Sequence, residues 1–263
     1  MNVLLLSDFS KSSTHMLEYS TLLLEDQIVN FLILHIKTPC ADVNWSEQCG
    51  DIFNQKLQND VKILSSKGNS NFNITTQVIE GAFVENIRRV ILDREIDLIM
   101  LGKSSGEILN AGLFFDKKTL EIITKVKCSV VLVPEHAPLK IPESALLPTD
   151  LSITSNNSIF GILTSLTFVQ KMSLYFFATG QKHILKPYKE YCKTIISNVI
   201  NSISFKSVQE IDLKYNNSDH KDFDFIMVMA KNLSIFQMVF SGPHGDYYNP
   251  NAPVLFLHSI MKK

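Results

Sequence analysis

The chain lacks the common signatures of metal, redox and hydrolytic centres. Its four cysteines form no C-x-x-C pair, and no cysteine–histidine set has the spacing of a zinc site. The Walker A, G-x-S-x-G and H-E-x-x-H motifs are also absent. We therefore expect no metal site and no catalytic residue set. Cys128, which precedes an apolar stretch, is expected to be a small core residue.

An excess of basic charge is missing too. Lys and Arg number 25 against 26 Asp and Glu, which gives a net charge of -1. A protein that follows a phosphodiester backbone needs clustered basic side chains, so we expect no nucleic-acid partner. No apolar run approaches the ~20 residues that cross a bilayer, and the first residues lack the basic region and cleavage site of a signal peptide. We expect a cytoplasmic protein with no membrane partner.

A repeat is the most informative feature that is present. The segment VLLLSDFSKSS, which begins at Val3, is matched by SALLPTDLSITS, which begins at Ser144. In both copies an apolar run is followed by Ser or Thr, then Asp, an apolar residue and Ser. Self-similarity of this kind indicates two copies of one domain. We place them at residues 1–137 and 143–263, with the proline-rich segment 134–142 as the linker.

Strand and helix patterns alternate in the first copy. Five apolar strands separated by amphipathic helices favour right-handed crossovers and a parallel, doubly wound sheet, whose ligands bind at the carboxyl ends of the strands. The predicted strands are Val3–Leu6, Phe31–Ile36, Ile74–Ile79, Leu98–Leu101 and Val130–Val133. The predicted helices are Ser10–Leu24, Cys49–Ser66, Val84–Arg94 and Lys117–Lys125, with a loop at Pro39–Trp45.

The second copy follows the same order less completely. Its predicted strands are Ala145–Leu147, Ser173–Ala178, Val208–Leu213, Phe225–Met229 and Val254–Leu257, and its predicted helices are Asn156–Val169 and Leu185–Ile203. The segment between the third and fourth of these strands is too short and too polar for a crossover helix. We therefore expect the second copy to be degenerate, with one helix lost.

Taken together and in order, these segments resemble the universal stress proteins. The matching motifs of the first half are SDFS at Ser7–Ser10, LHI at Leu34–Ile36, Gly81 before a helix, DLIMLGKSSG at Asp97–Gly106 and KCSVVLVP at Lys127–Pro134. The second half matches through LLPTDLS, DFIMVMAK and NAPVLFLHS. The resemblance implies an α/β chain of two tandem Rossmann-like (HUP-type) domains with five-stranded parallel sheets. It also implies an intramolecular pseudo-dimer through the last strands, Val130–Val133 and Val254–Leu257, with higher assembly left open.

The resemblance further implies a nucleotide site in the first copy. Nucleotide-binding members carry G-x2-G-x9-G-(S/T) after the fourth strand, and these glycines let the backbone approach phosphates. Here Gly102 takes the first place, the second glycine comes one position late, and Asp116-Lys117 stand where the final pair is expected. The site residues implied are Asp8, Phe9, Ser10, Ile36, Gly102, Lys103, Ser105, Gly106 and Lys117.

Several of these positions also have a structural interpretation. Asp116 either repels phosphate or caps the helix that follows, and a salt bridge to Lys117 is a further option. A like-charge contact at ~4 Å costs on the order of 4 kcal/mol at an effective dielectric constant of about 20. Asp8 either contacts a nucleoside or caps the first helix, and Ile36 either lines the base or packs in the strand core.

The second copy keeps less of the site. Ala230 stands where the first glycine is expected, and no glycine follows until Gly242, so we expect no phosphate-binding loop there. Among the histidines, His35 is expected to be a hydrogen-bonded residue at a strand end. His136 and His258, which follow the last strand of each copy, are hypothesised to meet across the pseudo-two-fold axis.

The expected function is that of a cytoplasmic, non-catalytic stress-response protein of the universal stress type. It would act by sensing a ligand or by binding an as yet unknown protein partner, with an impaired nucleotide site. No cofactor is assigned, and weak or absent binding of ATP or AMP is favoured. The alternative is an ATP- or AMP-binding protein that uses the pocket of the first copy and hydrolyses ATP slowly.

Overall fold

The computed structural model describes residues 1–37, 43–67, 70–104, 115–149, 157–178, 186–211, 223–233 and 251–259. The chain divides into two compact units. The first comprises Met1–Gly106 and Val130–Ile141, and the second comprises Glu107–Ser129 and Pro142–Lys263. The domain limits drawn from the repeat, 1–137 and 143–263, stay a prediction.

The first unit is built on a five-stranded sheet. Its strands are β1 (Asn2–Leu6), β2 (Val29–Lys37), β3 (Phe72–Glu80), β4 (Leu98–Lys103) and β5 (Ser129–Pro134), in the order β3-β2-β1-β4-β5. β1 pairs in parallel with β2 and β4, and β2 pairs in parallel with β3. The apolar run of β1 is buried on both faces, as its composition predicts.

Among its described residues, the first unit also contains three helices: α1 (Lys11–Leu23), α2 (Val43–Lys67) and α3 (Phe83–Asp93). α1 and α2 pack against each other, and α2 also contacts β2 and β3. The predicted loop Pro39–Trp45 is wrong from Val43 onward, where α2 has already begun. No helix-breaking residue separates Val43 from the predicted start at Cys49, so the helix extends back to Val43.

An asparagine ladder helps to fix the register of the first three strands. Asn2, Asn30 and Asn73 are direct partners across β1, β2 and β3. The Asn30 amide donates to Asn2 Oδ1 at 2.9 Å, and the Asn73 amide donates to Asn30 Oδ1 at 3.4 Å. A shift of one residue would break both hydrogen bonds and would turn the apolar residues to the wrong face.

The second unit repeats the strand order of the first. Its strands are β6 (Ser144–Thr149), β7 (Ser173–Ala178), β8 (Ser207–Glu210), β9 (Phe225–Met229) and β10 (Val254–Leu257), in the order β10-β9-β6-β7-β8. Numbered from its own first strand and read from the β8 edge, this is the same 3-2-1-4-5 order as in the first unit. The second unit also contains α4 (Lys117–Lys125) and α5 (Lys186–Asn201). The predicted fold class, two doubly wound α/β units, is confirmed.

One predicted helix of the second unit has a different form. Residues Asn157–Ser165 and Thr167–Lys171 form two 3₁₀ helices rather than the α-helix predicted for Asn156–Val169. Gly161 lowers the helix propensity, and the Thr164 hydroxyl donates to the Gly161 carbonyl at 2.8 Å, which competes with the α-helical pattern. The crossover helix predicted to be lost lies outside the described residues.

The helices of the described ranges include none that is both long and apolar enough to cross a membrane.

Candidate functional site

The first-unit corner after β1 is held by short-range hydrogen bonds. Asp8 Oδ1 accepts from the Ser10 backbone N–H at 3.0 Å and from the Ser10 hydroxyl at 2.6 Å. Ser10 Oγ accepts from the Ser13 backbone N–H at 3.2 Å and so caps α1. Ser10 is therefore the helix cap, and Asp8 holds Ser10 in place. The nucleoside contact implied for Asp8 stays a prediction.

Phe9 is the unusual residue of this corner. Its φ of 63° lies in the left-handed region, which a phenylalanine rarely adopts. Its ring lies 4.4 Å from the His35 ring and 6.0 Å from the Phe53 ring, centroid to centroid, and Lys56 Nζ lies 5.2 Å from the Phe9 centroid. These aromatic contacts stabilise the corner and hold Phe9 in a backbone conformation that is unfavourable in isolation.

His35 is hydrogen-bonded, as expected. Its Nδ1 lies 2.8 Å from the Ser7 carbonyl oxygen, and its ring lies 4.6 Å from that of Phe53. Ile36 follows His35 in β2, so its side chain leaves the opposite face of the sheet. Ile36 is half-buried and lies away from the aromatic cluster. The base contact implied for Ile36 stays a prediction.

A buried polar pair lies beneath the corner. The Ser7 hydroxyl donates to Asp60 Oδ2 at 2.6 Å, and both residues are buried, with 5% of each exposed. The Ser13 hydroxyl donates to Ser7 Oγ at 3.2 Å. Burial raises the pKa of Asp60 and the charge of Asp8 adds to this, while the hydrogen bond from Ser7 and the nearby His35 oppose it. Asp60 is thus a carboxyl group that is largely shielded from water and accepts a hydrogen bond from Ser7.

Gly102 has a structural reason to be glycine. A Cβ atom there would lie 2.3 Å from the backbone oxygen of Ser12 and 2.8 Å from the backbone N of Ser13, in the first turn of α1. The carbonyl of the next residue, Lys103, accepts from the Glu135 backbone N–H at 2.9 Å. The predicted site residues Ser105 and Gly106 lie outside the described residues.

Asp116 caps α4, which confirms the capping interpretation, while repulsion of phosphate by its charge stays a prediction. Its Oδ1 accepts from the Thr119 backbone N–H at 3.0 Å, and its Oδ2 accepts from the Thr119 hydroxyl. Lys117, the first residue of α4, is exposed. A carboxylate therefore already occupies the N-terminus of α4, the end of a helix that attracts anions.

Comparison with solved structures identifies the fold. A universal stress protein from Archaeoglobus fulgidus DSM 4304 superposes with a TM-score of 0.67 over 98% of each chain, at 13% sequence identity. The chain has the universal stress protein fold. Similar structures include a functionally unknown protein from Pseudomonas aeruginosa PAO1, with a TM-score of 0.55 and 12% identity over 97% of this chain and 92% of that one.

The universal stress protein fold is not restricted to stress proteins. The cytoplasmic domain of a prokaryotic cation chloride cotransporter superposes with a TM-score of 0.59 and 12% identity, over 98% of this chain and 95% of that one. No family model and no curated protein matches the chain. The fold is therefore established, whereas function has to be argued from the residues of the site.

In the second unit of this chain, the structure describes fewer of the residues expected at the site. Asp150 and Ser152, which are the Asp and the Ser of the repeat in the second copy, lie outside the described residues, and so does Gly242. Ala230 is buried at the start of a 3₁₀ turn, Ala230–Asn232, directly after β9. The absence of a phosphate-binding loop there and the meeting of His136 with His258 stay predictions.

His258 gives a pH-dependent prediction. Burial lowers its pKa below 6.5, a hydrogen bond to the Ile123 backbone opposes this, and no described residue is a hydrogen-bond partner of its buried Nε2. The unfolded state then takes up the proton first as the pH falls, so folding is weakened below pH 6.5. We expect the urea midpoint to fall between neutral and mildly acidic pH, and a His258→Asn variant to show a smaller fall. An equal fall in both proteins would contradict the prediction.

Proposed function

We propose that this chain is a non-catalytic protein of the universal stress type, which senses a ligand or binds a partner and whose nucleotide site is impaired. The observation that carries the proposal is the Asp116 cap. In the nucleotide-binding universal stress proteins that the sequence resembles, a glycine and a hydroxyl residue stand at this helix end and leave its backbone N–H groups open to phosphate. Here the carboxylate of Asp116 accepts from Thr119 and places a negative charge at the same end of α4.

One further observation supports an impaired site, and a second removes a reason to infer a phosphate loop. Asp8 Oδ1 accepts two hydrogen bonds from Ser10, so part of its acceptor capacity is used within the corner. Gly102, which the resemblance assigns to the phosphate loop, has its Cβ position filled by the backbone of Ser12. A glycine at this place therefore does not require a phosphate to explain it.

The same corner supports the absence of catalysis. The Ser7 hydroxyl lies 2.6 Å from a carboxylate that has the chemistry to accept its proton. Both side chains are buried, however, and a nucleophile must reach its substrate. This serine–aspartate pair is therefore assigned a structural role.

Calorimetry with ATP and Mg²⁺ tests the proposal. We expect the unchanged chain to bind more weakly than about 100 µM, equivalent to about -5.5 kcal/mol or less favourable. Asp116→Gly is expected to tighten binding at least about tenfold, because it removes one like-charge contact near the phosphates. A micromolar dissociation constant for the unchanged chain would overturn the proposal in favour of an ATP- or AMP-binding protein.

Asp116→Asn is the matched control for this experiment. Asparagine keeps a good helix cap and removes only the charge. If charge is the obstacle, Asn and Gly variants will both gain affinity; if neither gains affinity, the carboxylate is not the obstacle. Phosphate release from ATP, measured beside the calorimetry, is expected to stay at the level of the protein-free control.

A further inference from the structure

The edge strand β3 has few of the features that usually protect sheet edges. It runs for nine residues, Phe72–Glu80, pairs with β2 along its full length, and contains neither proline nor lysine. No strand among the described residues pairs with its other side, because β3 ends the order of its sheet. The edge strand of the second unit, β8, has only four residues. Edges as long as β3 are templates for pairing with another strand.

The hydrogen bonds to β2 show which residues of β3 face outward. The Gly81 N–H donates to the Lys37 carbonyl, and the Val29 N–H donates to the Asn71 carbonyl, so odd-numbered residues direct their backbone groups to β2. In a parallel ladder the direction alternates from one residue to the next. The backbone N–H and C=O groups of the even-numbered residues therefore point away from the sheet, with Thr76 in the middle.

The sequence around Thr76 matches itself in reverse. The five residues Ile74 to Val78 read β-branched, polar, Thr, polar, β-branched. An antiparallel pair with its two-fold axis at Thr76 places Ile74 opposite Val78 of a second copy and Thr75 opposite Gln77. All pairs of even-numbered residues are then hydrogen-bonded pairs, and β-branched side chains face each other on one side of the sheet.

The charges permit the same register. Glu80 is the one charged residue of β3, and Lys37 Nζ pairs with its carboxylate at 2.6 Å. In the Thr76-centred pair, Glu80 lies opposite Phe72 of the second copy, so no like charges face each other. We propose that β3 is a homodimerisation edge, at which two copies of this chain pair antiparallel about Thr76.

Sedimentation velocity on the 263-residue chain tests the association. We expect a concentration-dependent dimer and expect Thr76→Lys to weaken it at least about tenfold, because the two-fold axis sets the two lysines directly opposite each other. Ser207→Lys likewise places a lysine on an edge strand, β8, and is expected to leave association unchanged. Circular dichroism spectra that match the unchanged chain establish that both variants fold.

Disulfide trapping tests the register. In a background with Cys40 and Cys49 replaced by serine, Thr76→Cys is expected to give a covalent dimer under oxidising conditions. The two residues 76 face each other at ~5.5 Å between Cα atoms, within disulfide range. Val78→Cys is the matched control on the same face of β3, because its two copies lie four residues apart, or ~14 Å. A monomer at all concentrations, a dimer insensitive to Thr76→Lys, or equal trapping at 78 and 76 would overturn the proposal.

Discussion

Gly102→Ala is expected to destabilise the chain by about 3 kcal/mol, measured by urea unfolding followed by circular dichroism. The added methyl group would lie 2.3 Å from the Ser12 carbonyl oxygen and 2.4 Å from its carbon. Both are backbone atoms of the first turn of α1, so no side-chain rotation relieves the overlap. Either α1 moves away from the end of β4 or β4 distorts, and both changes disturb the corner that Ser7–Ser10 forms.

Gly161→Ala is the matched control for Gly102→Ala. A Cβ atom at Gly161 meets no atom of the described residues within 4 Å, and Gly161 lies in a 3₁₀ helix, so this substitution is expected to be neutral or slightly stabilising. If Gly102→Ala unfolds at the same urea concentration as the unchanged chain, close packing does not explain the glycine. Phosphate binding would then be the favoured explanation for a glycine at position 102.

The fold could be predicted from the sequence because its signals are local and repeated. Apolar strands such as Val3–Leu6, separated by amphipathic helices, require a parallel sheet covered on both faces. The repeat at Ser144 then gives the second unit, and the strand orders of both units agree with it. The error over Asn157–Ser165 arose because an apolar period near 3.6 residues does not separate an α-helix from 3₁₀ turns once glycine and threonine interrupt it.

The site was less predictable because its important contacts join distant parts of the chain. Asp60 lies 53 residues from Ser7, and nothing in the local sequence of α2 shows that one polar residue of that helix turns inward. The Phe9–Phe53 contact and the Ser12–Gly102 contact are long-range in the same way. The Asp116 cap, by contrast, follows from the local pattern of Asp before a helix, and the sequence already offered it as an interpretation.

Ser7→Ala is expected to cost about 2 kcal/mol at neutral pH, because it leaves the buried Asp60 carboxylate without the Ser7 hydrogen bond. The size of this loss in unfolding free energy depends on pH, and its direction follows from the pKa of Asp60. The pKa of Asp60 in the folded chain lies above 3.8, its value in the unfolded chain, so the folded state takes up the proton first as the pH falls. The cost of the buried charge is therefore present at neutral pH and disappears as the pH falls through the folded pKa.

The variant and the unchanged chain are expected to converge in acid. The Ser7→Ala variant lacks the hydrogen bond that lowers the Asp60 pKa, so its Asp60 takes up a proton at a higher pH than in the unchanged chain. Protonation removes the cost of the buried charge from the variant first. The difference in unfolding free energy between the two proteins therefore narrows toward pH 4. Ser13→Ala is the matched control: its hydroxyl donates to Ser7 Oγ rather than to the carboxylate, so its loss is expected to be about 1 kcal/mol and independent of pH. Urea unfolding of all three proteins across this pH range measures both effects. A Ser7→Ala loss that stays constant with pH would show that Asp60 is uncharged in the folded chain at neutral pH, and that the corner is held by a neutral hydrogen bond.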